Sequence, residues 1–169
     1  MAIKADPGFS LKDDLFNPTT VGWLTRNIAA AYSDFKSEAY TLEVLAQFPK
    51  LELKARIDCM AQTLARYLPS DYHQALGVLH NALPPALDPS LTDDDFGSFI
   101  WAVPSEFVAQ QGCTSQGLSA SLSFLEAATQ RFSVEFAIRP FLLAYPKATL
   151  AFIGRCAKHP NYHVRRQIF

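Results

Sequence analysis

Leu53-Lys54-Ala55-Arg56-Ile57-Asp58-Cys59-Met60-Ala61-Gln62-Thr63-Leu64-Ala65-Arg66-Tyr67-Leu68-Pro69-Ser70-Asp71 is the stretch on which the fold turns. Leu53, Ile57, Met60, Leu64 and Leu68 recur at steps of three and four, which places them on one face of a helix; a half-buried strand would require alternation. Pro69 marks the end, because a proline disfavours helical geometry in the residue before it. Ser70-Asp71 then caps a second helix holding Ala75, Val78 and Leu79. One helix closes and the next opens within a few residues, which is how an antiparallel helix pair is written.

The same rhythm extends in both directions. Toward the N-terminus, Asn17-Pro18 reads as a cap followed by a first-turn proline, with Val21, Leu24, Ile28 and Tyr32 as the stripe. A further helix is predicted from about Phe35 to Phe48, stopping at Pro49. Toward the C-terminus, Pro84, Pro85 and Pro89, then Asp93-Asp94-Asp95 and Gly97, cannot continue a helix, so residues 84–97 are expected to form the longest surface loop. Beyond it come helices across Pro104 to Gln111, from about Ser115 to Arg131, opening at Ser133, and from Lys147 to Lys158. A last turn begins at Asn161, after Pro160. The expectation is an all-α chain, a single domain over residues 1–169, in which antiparallel helix pairs stack as a HEAT-like α-solenoid. A closed helical bundle is the alternative; only a solenoid offers a concave surface able to cradle a rod.

At 169 residues, nearly half of them apolar, the chain is long enough for one sizeable core. No apolar run resembles a signal peptide or reaches transmembrane length, so no membrane partner is expected. Cys59, Cys113 and Cys156 are an odd number at wide spacings, which points to reduced thiols and a cytoplasmic protein. The net charge of −1 hides a segregation: residues 131–169 hold seven lysines and arginines against Glu135 alone, a net of +6, which leaves −7 for residues 1–130. A basic end on an otherwise acidic molecule attracts phosphates, or else is a solvated basic face.

Several motifs occur in a recognisable order. They are Phe96-Gly97-Ser98-Phe99, Ser105-Glu106-Phe107-Val108-Ala109, Thr129 through Phe141, and His163-Val164-Arg165-Arg166, with Leu15-Phe16-Asn17-Pro18-Thr19 and Leu51 through Arg56 nearer the start. The set resembles the AlkC/AlkD-type DNA alkylation repair proteins, the HEAT-like repeat glycosylases of 3-methyladenine, and Glu135 to Phe141 is its most specific piece. The resemblance implies helical repeats wrapped around double-stranded DNA with alkylated bases, and hydrolytic excision of cationic N-methylated purines without metal or organic cofactor. In the family the His-Val-Arg-Arg stretch continues into Ser-Glu-Gly and a Pro-Trp segment that supply another acid and an aromatic. This sequence stops at Phe169, so impaired activity is expected, and the apolar C-terminal repeat becomes a candidate surface for self-association. A duplex-binding relative without catalysis and a protein-interaction scaffold are the alternatives.

Within that resemblance Glu135 is the candidate catalytic carboxylate, stabilising the sugar cation and orienting water. The competing reading has Ser133 cap a helix whose positive end Glu135 complements. Arg139 follows at i+4, the spacing of an ion pair, and is expected to orient Glu135. Arg155, Lys158, His163, Arg165 and Arg166 are the candidate DNA-binding residues, with salt bridges between repeats as the alternative for the arginines. Cys156, His159 and His163 have metal-like spacing, but Pro160 interrupts them and a fourth ligand is missing, so no metal is expected. The three consecutive aspartates are read as caps or solvated loop residues. Phe99, Trp101 and Phe107 are read as core, with a groove lining as the alternative.

Overall fold

Asn17 starts the first long helix as its sequence dictates. Its side chain accepts hydrogen bonds from the Thr19 and Thr20 amides, and its own amide donates to Thr20 Oγ1, a closed capping box with Pro18 at the first helical position. The computed structural model describes residues 8–91 and 96–166, and no strand occurs among them. The helices are α1 (Leu11–Leu15), α2 (Pro18–Ala31), α3 (Ser37–Gln47), α4 (Leu53–Tyr67), α5 (Tyr72–Ala82), α6 (Ala102–Gly112), α7 (Leu118–Ala128), α8 (Glu135–Ala144), α9 (Pro146–Cys156) and α10 (Tyr162–Arg166). Tight 3-10 turns at Phe48–Lys50 and Phe99–Trp101 lead into α4 and α6.

These helices form two layers. Along one, α2, α5, α7 and α9 pack in succession; along the other, α3, α4, α6 and α8 do the same. Across the layers α2 meets α3, α6 lies on α7 and α8 on α9. Most of these helices therefore touch neighbours along the stack and a partner opposite, the arrangement of a helical repeat, while α4 packs chiefly within its own layer on α3 and α6. The stripe that announced α4 is buried as expected: Ile57, Met60, Leu64 and Leu68 all reach the core. Side chains of that size contribute about 1.5–3 kcal/mol each when fully buried. Trp101 and Phe107 are core residues as well.

The boundaries differ from the sequence reading where local hydrogen bonds decide them. Pro49 does not simply stop α3; it sits inside the 3-10 turn, where its missing N–H costs little. Helix α7 opens at Leu118 rather than near Ser115, because Thr114 Oγ1 accepts from the Gly117 amide and holds the preceding turn. Ser133 does not cap α8: its hydroxyl is buried without a hydrogen-bond partner among the described residues. The short α1 had no periodic signal, and a buried arginine fastens it. Arg56 of α4 donates to the carbonyls of Lys12, Phe16, Phe48 and Leu51 and to Asp13 Oδ1 at 2.6 Å, stitching α1 and the 3-10 turn to α4.

Of the segment 84–97, residues 92–95 lie outside the described part, so Asp93, Asp94 and Asp95 have no structural account. The remainder is tied to the end of α7. The Leu87 amide donates to the Gln130 carbonyl at 2.8 Å, and Arg131 Nε donates to the Pro84 carbonyl at 2.9 Å. Burial works against the Arg131 charge and lowers its pKa from the ordinary guanidinium value. Gly97 has φ of 78°, and a Cβ there would fall 1.8 Å from the Arg131 carbonyl oxygen. Only glycine permits that approach, which brings Phe96 and Phe99 toward α8.

Candidate functional site

A cleft of about 440 Å³ opens where α4, α6 and the start of α8 meet. Helix α4 contributes Leu53, Lys54 and Ile57, α6 contributes Ala102, Ser105 and Glu106, and α8 contributes Glu135, Phe136 and Ala137. Phe96, Phe99 and the stretch Phe132–Val134 complete the walls. The Phe99 and Phe132 rings lie 4.7 Å apart, a tilted pair that forms one apolar side. Against this apolar lining stand two carboxylates and two hydroxyls. The hydroxyls, of Ser105 and Ser133, are buried and have no hydrogen-bond partner among the described residues.

The carboxylates differ in their surroundings. Glu135 is the first residue of α8, so its charge complements the positive end of that helix. Its side chain makes no hydrogen bond or ion pair among the described residues. Glu106 is held from both sides, by Lys54 Nζ at 3.2 Å and by Gln110 Nε2 at 3.3 Å. Sequence reasoning singled out Glu135 and passed over Glu106, which lies 29 positions earlier and reaches the same cleft only because α6 packs beside α8. The i, i+4 spacing of Glu106 and Gln110 on one helix face was the available signal.

The pair expected between Glu135 and Arg139 does not form. The Arg139 guanidinium lies over the Phe136 ring, 4.6 Å from its centroid. An exposed i, i+4 ion pair contributes only about 0.3–0.5 kcal/mol, whereas stacking on an exposed ring contributes a comparable or larger amount and covers apolar surface.

The candidate DNA-binding residues separate into two groups. Arg155 and Lys158 are exposed, and their side chains make no hydrogen bond or ion pair among the described residues; Arg155 lies 5.8 Å from the Phe152 ring centroid. His163 instead points inward. It is 1% exposed, with Nε2 3.0 Å from the Asp88 carbonyl oxygen, so it joins α10 to the loop rather than facing a phosphate. Arg165 donates through Nη1 to the carbonyls of His159 and Pro160, both at 2.7 Å, satisfying backbone acceptors left over after α9. Arg166 packs over the Phe96 ring at 4.4 Å, at the margin of the cleft. Cys156 is buried, His159 Nε2 lies 3.7 Å from Glu126, and no cluster of three metal-ligating side chains occurs among the described residues. No helix among them is long and apolar enough to cross a membrane.

An all-helical repeat with a carboxylate-bearing cleft along the layer of α4, α6 and α8 defines the class, and comparison with solved structures sharpens it. The chain has the fold of AlkC: it superposes on the Pseudomonas fluorescens alkylpurine DNA glycosylase AlkC, solved bound to DNA containing an abasic-site analogue, with a TM-score of 0.78 and 26% sequence identity. That likeness covers 95% of this chain and 42% of AlkC. The chain is also 29% identical over 155 residues to the uncharacterised protein YhaZ of Bacillus subtilis, covering 90% of this chain and 40% of YhaZ. It thus spans about two fifths of the length of both relatives. No family model matches.

Proposed function

We propose that this chain binds alkylated duplex DNA and takes part in DNA alkylation repair, hydrolysing the glycosidic bond of cationic N-methylated purines of the 3-methyladenine type. The observation that carries this reading is Glu135: a carboxylate without a partner among the described residues, lining an apolar cleft on a fold shared with a DNA-bound alkylpurine glycosylase. A purine alkylated at N3 or N7 is already a cation, so it leaves without a general acid. As its bond to C1′ breaks, the electron pair goes to the base, which departs neutral, and positive charge develops on the deoxyribose. A fixed carboxylate in surroundings of low dielectric stabilises that charge and takes a proton from the water whose oxygen bonds to C1′.

Arg155 and Lys158 supply phosphate contacts in this reading, and Arg139 and Lys147, also exposed and without ion pairs among the described residues, extend the basic surface along α8 and α9. A duplex-binding role without catalysis is the second reading, favoured by the exposed Arg155 and Lys158, whose phosphate contacts require no carboxylate in the cleft. Release of 3-methyladenine from methylated duplex DNA by the full chain, measured beside Glu135→Gln, separates the two. Release that the substitution reduces by two orders of magnitude or more supports hydrolysis with Glu135 at its centre, a loss of the size seen when electrostatic stabilisation is removed, about 10²–10³. Salt-dependent duplex binding with no release by folded protein leaves the second reading; absence of binding as well removes both.

A further inference from the structure

Glu106 is part of a closed ring of contacts across the α4–α6 interface. Its Oε2 accepts from Lys54 Nζ at 3.2 Å and its Oε1 from Gln110 Nε2 at 3.3 Å. The same amide nitrogen reaches back to the Asp58 carbonyl at 3.3 Å, and Lys54 also pairs with the Asp58 carboxylate one turn along α4. Both side chains line the cleft, but that of Glu106 is only 16% exposed against 53% for Lys54, so the anion is the more enclosed of the two. Desolvation opposes the Lys54 charge, but the carboxylates of Asp58 and Glu106 outweigh it and raise its pKa above the ordinary ammonium value.

We infer that Lys54 and Gln110 are positioning residues acting through Glu106, holding its carboxylate in one rotamer on the wall of the cleft that Glu135 also lines. The two oxygens have separate anchors, one ionic and one neutral, and the neutral one is itself tied to the α4 backbone. An exposed surface pair would contribute little and would not require its acid to turn inward. A clamped anion, by contrast, stabilises a nearby developing cation without having to reorganise when the charge appears. The consequence for rate rests on the proposed base release; the consequence for the order of the Glu106 side chain does not.

The test uses the full chain with Lys54→Met, Lys54→Arg, Glu106→Gln, the double variant Lys54→Met with Glu106→Gln, and Lys36→Met, an exposed lysine that does not line the cleft, as the control. Lys54→Met is expected to lower kcat for base release by roughly 10- to 100-fold with KM unchanged, the scale of a misplaced active-site group. Lys54→Arg is expected to recover most of it, Lys36→Met to leave it unchanged, and the double variant to be no slower than Glu106→Gln alone. Equal losses in Lys54→Met and Lys36→Met, a loss in Lys54→Met that only follows its melting temperature, or additive losses in the double variant would overturn the inference. Where the unsubstituted chain releases no base, the functional reading falls and side-chain relaxation by NMR decides: Lys54→Met is expected to loosen the Glu106 methylenes and leave those of Glu135 unchanged. Unaltered Glu106 order overturns it.

Discussion

Arg56 and Arg139 each lie over a phenylalanine ring at nearly the same distance, 4.8 Å from Phe48 and 4.6 Å from Phe136, yet they are opposite kinds of arginine. Arg56 is 2% exposed, and four backbone carbonyls and the Asp13 carboxylate occupy its donors. Arg139 is exposed and makes no hydrogen bond or ion pair among the described residues. The contrast extends to the regions around them. In the acidic part of the chain, Lys12, Lys54, Arg56 and Arg66 are all paired with carboxylates. In the basic part, Arg139, Lys147, Arg155 and Lys158 have no such partner among the described residues. Arg26, Lys36 and Lys50 of the first region are exposed and unpaired among the described residues too, but there they stand among an excess of carboxylates, whereas the cations of the second region have almost none beside them and present a surface suited to an anionic partner.

The largest effect that would break this comparison is on stability. Arg56→Met strands four carbonyls and a carboxylate, and should cost about 3–5 kcal/mol in urea unfolding, the scale of breaking a buried charged network. Arg139→Met should stay within about 0.5 kcal/mol, as exposed substitutions do; similar costs at both sites would show the distinction to be false. Next in size is Gly97→Ala. Its backbone angle alone costs about 1–3 kcal/mol in a non-glycine residue, and the clash with the Arg131 carbonyl adds to that. A drop in melting temperature, with the Phe99–Phe132 wall displaced, is the expected result.

Smaller still are the effects of the outward cations on duplex affinity. Arg155→Ala and Lys158→Ala should each leave folding intact and reduce the slope of log K against log salt by roughly one for every phosphate no longer neutralised. His163→Ala should instead lower stability, because its ring is buried against the Asp88 carbonyl. The smallest effect is on acid stability. Hydrogen bonding from Ser10 and then Arg56 lowers the Asp13 pKa below its ordinary 3.8. Its contribution is present above that value and lost as pH falls through the depressed folded-state value. Asp13→Asn should therefore flatten the acid limb of the stability curve below about pH 4 and change little at pH 7; an unchanged limb would remove Asp13 from the Arg56 network.

The helices were legible because their signals are local. The α4 stripe, the Asn17-Pro18 opening and the Asp71 cap, which accepts from the Gln74 amide at 2.8 Å, involve residues within one or two turns of each other. The site was legible only in part. Glu135 is the single acid in a basic tail, but it was the resemblance of its motif, not composition, that made it the candidate, and the cleft does contain it. Arg139 was misread because spacing says which side chains can meet, and the choice between a carboxylate and a ring depends on exposure. The contacts of His163 and Arg165 were illegible for a related reason: a histidine or arginine near a chain turn serves whichever carbonyls packing leaves unsatisfied, and those come from Asp88, His159 and Pro160.

Sequence by itself determined that the chain is helical, that prolines mark several of the turns between its helices, and that its positive charge collects at one end; α4 and α5, adjacent in sequence across Pro69, pack mainly on other helices. Periodicity, capping and composition act over a few residues and need no partner from elsewhere. Only the tertiary structure decided which charges are internal and which face outward, and which acids share a cleft. Arg56 meets Lys12 from 44 positions away and Lys54 meets Glu106 across 52, separations that no helical period encodes. Stacking of the layers brings those groups together, and burial then determines which of them must find a partner within the protein.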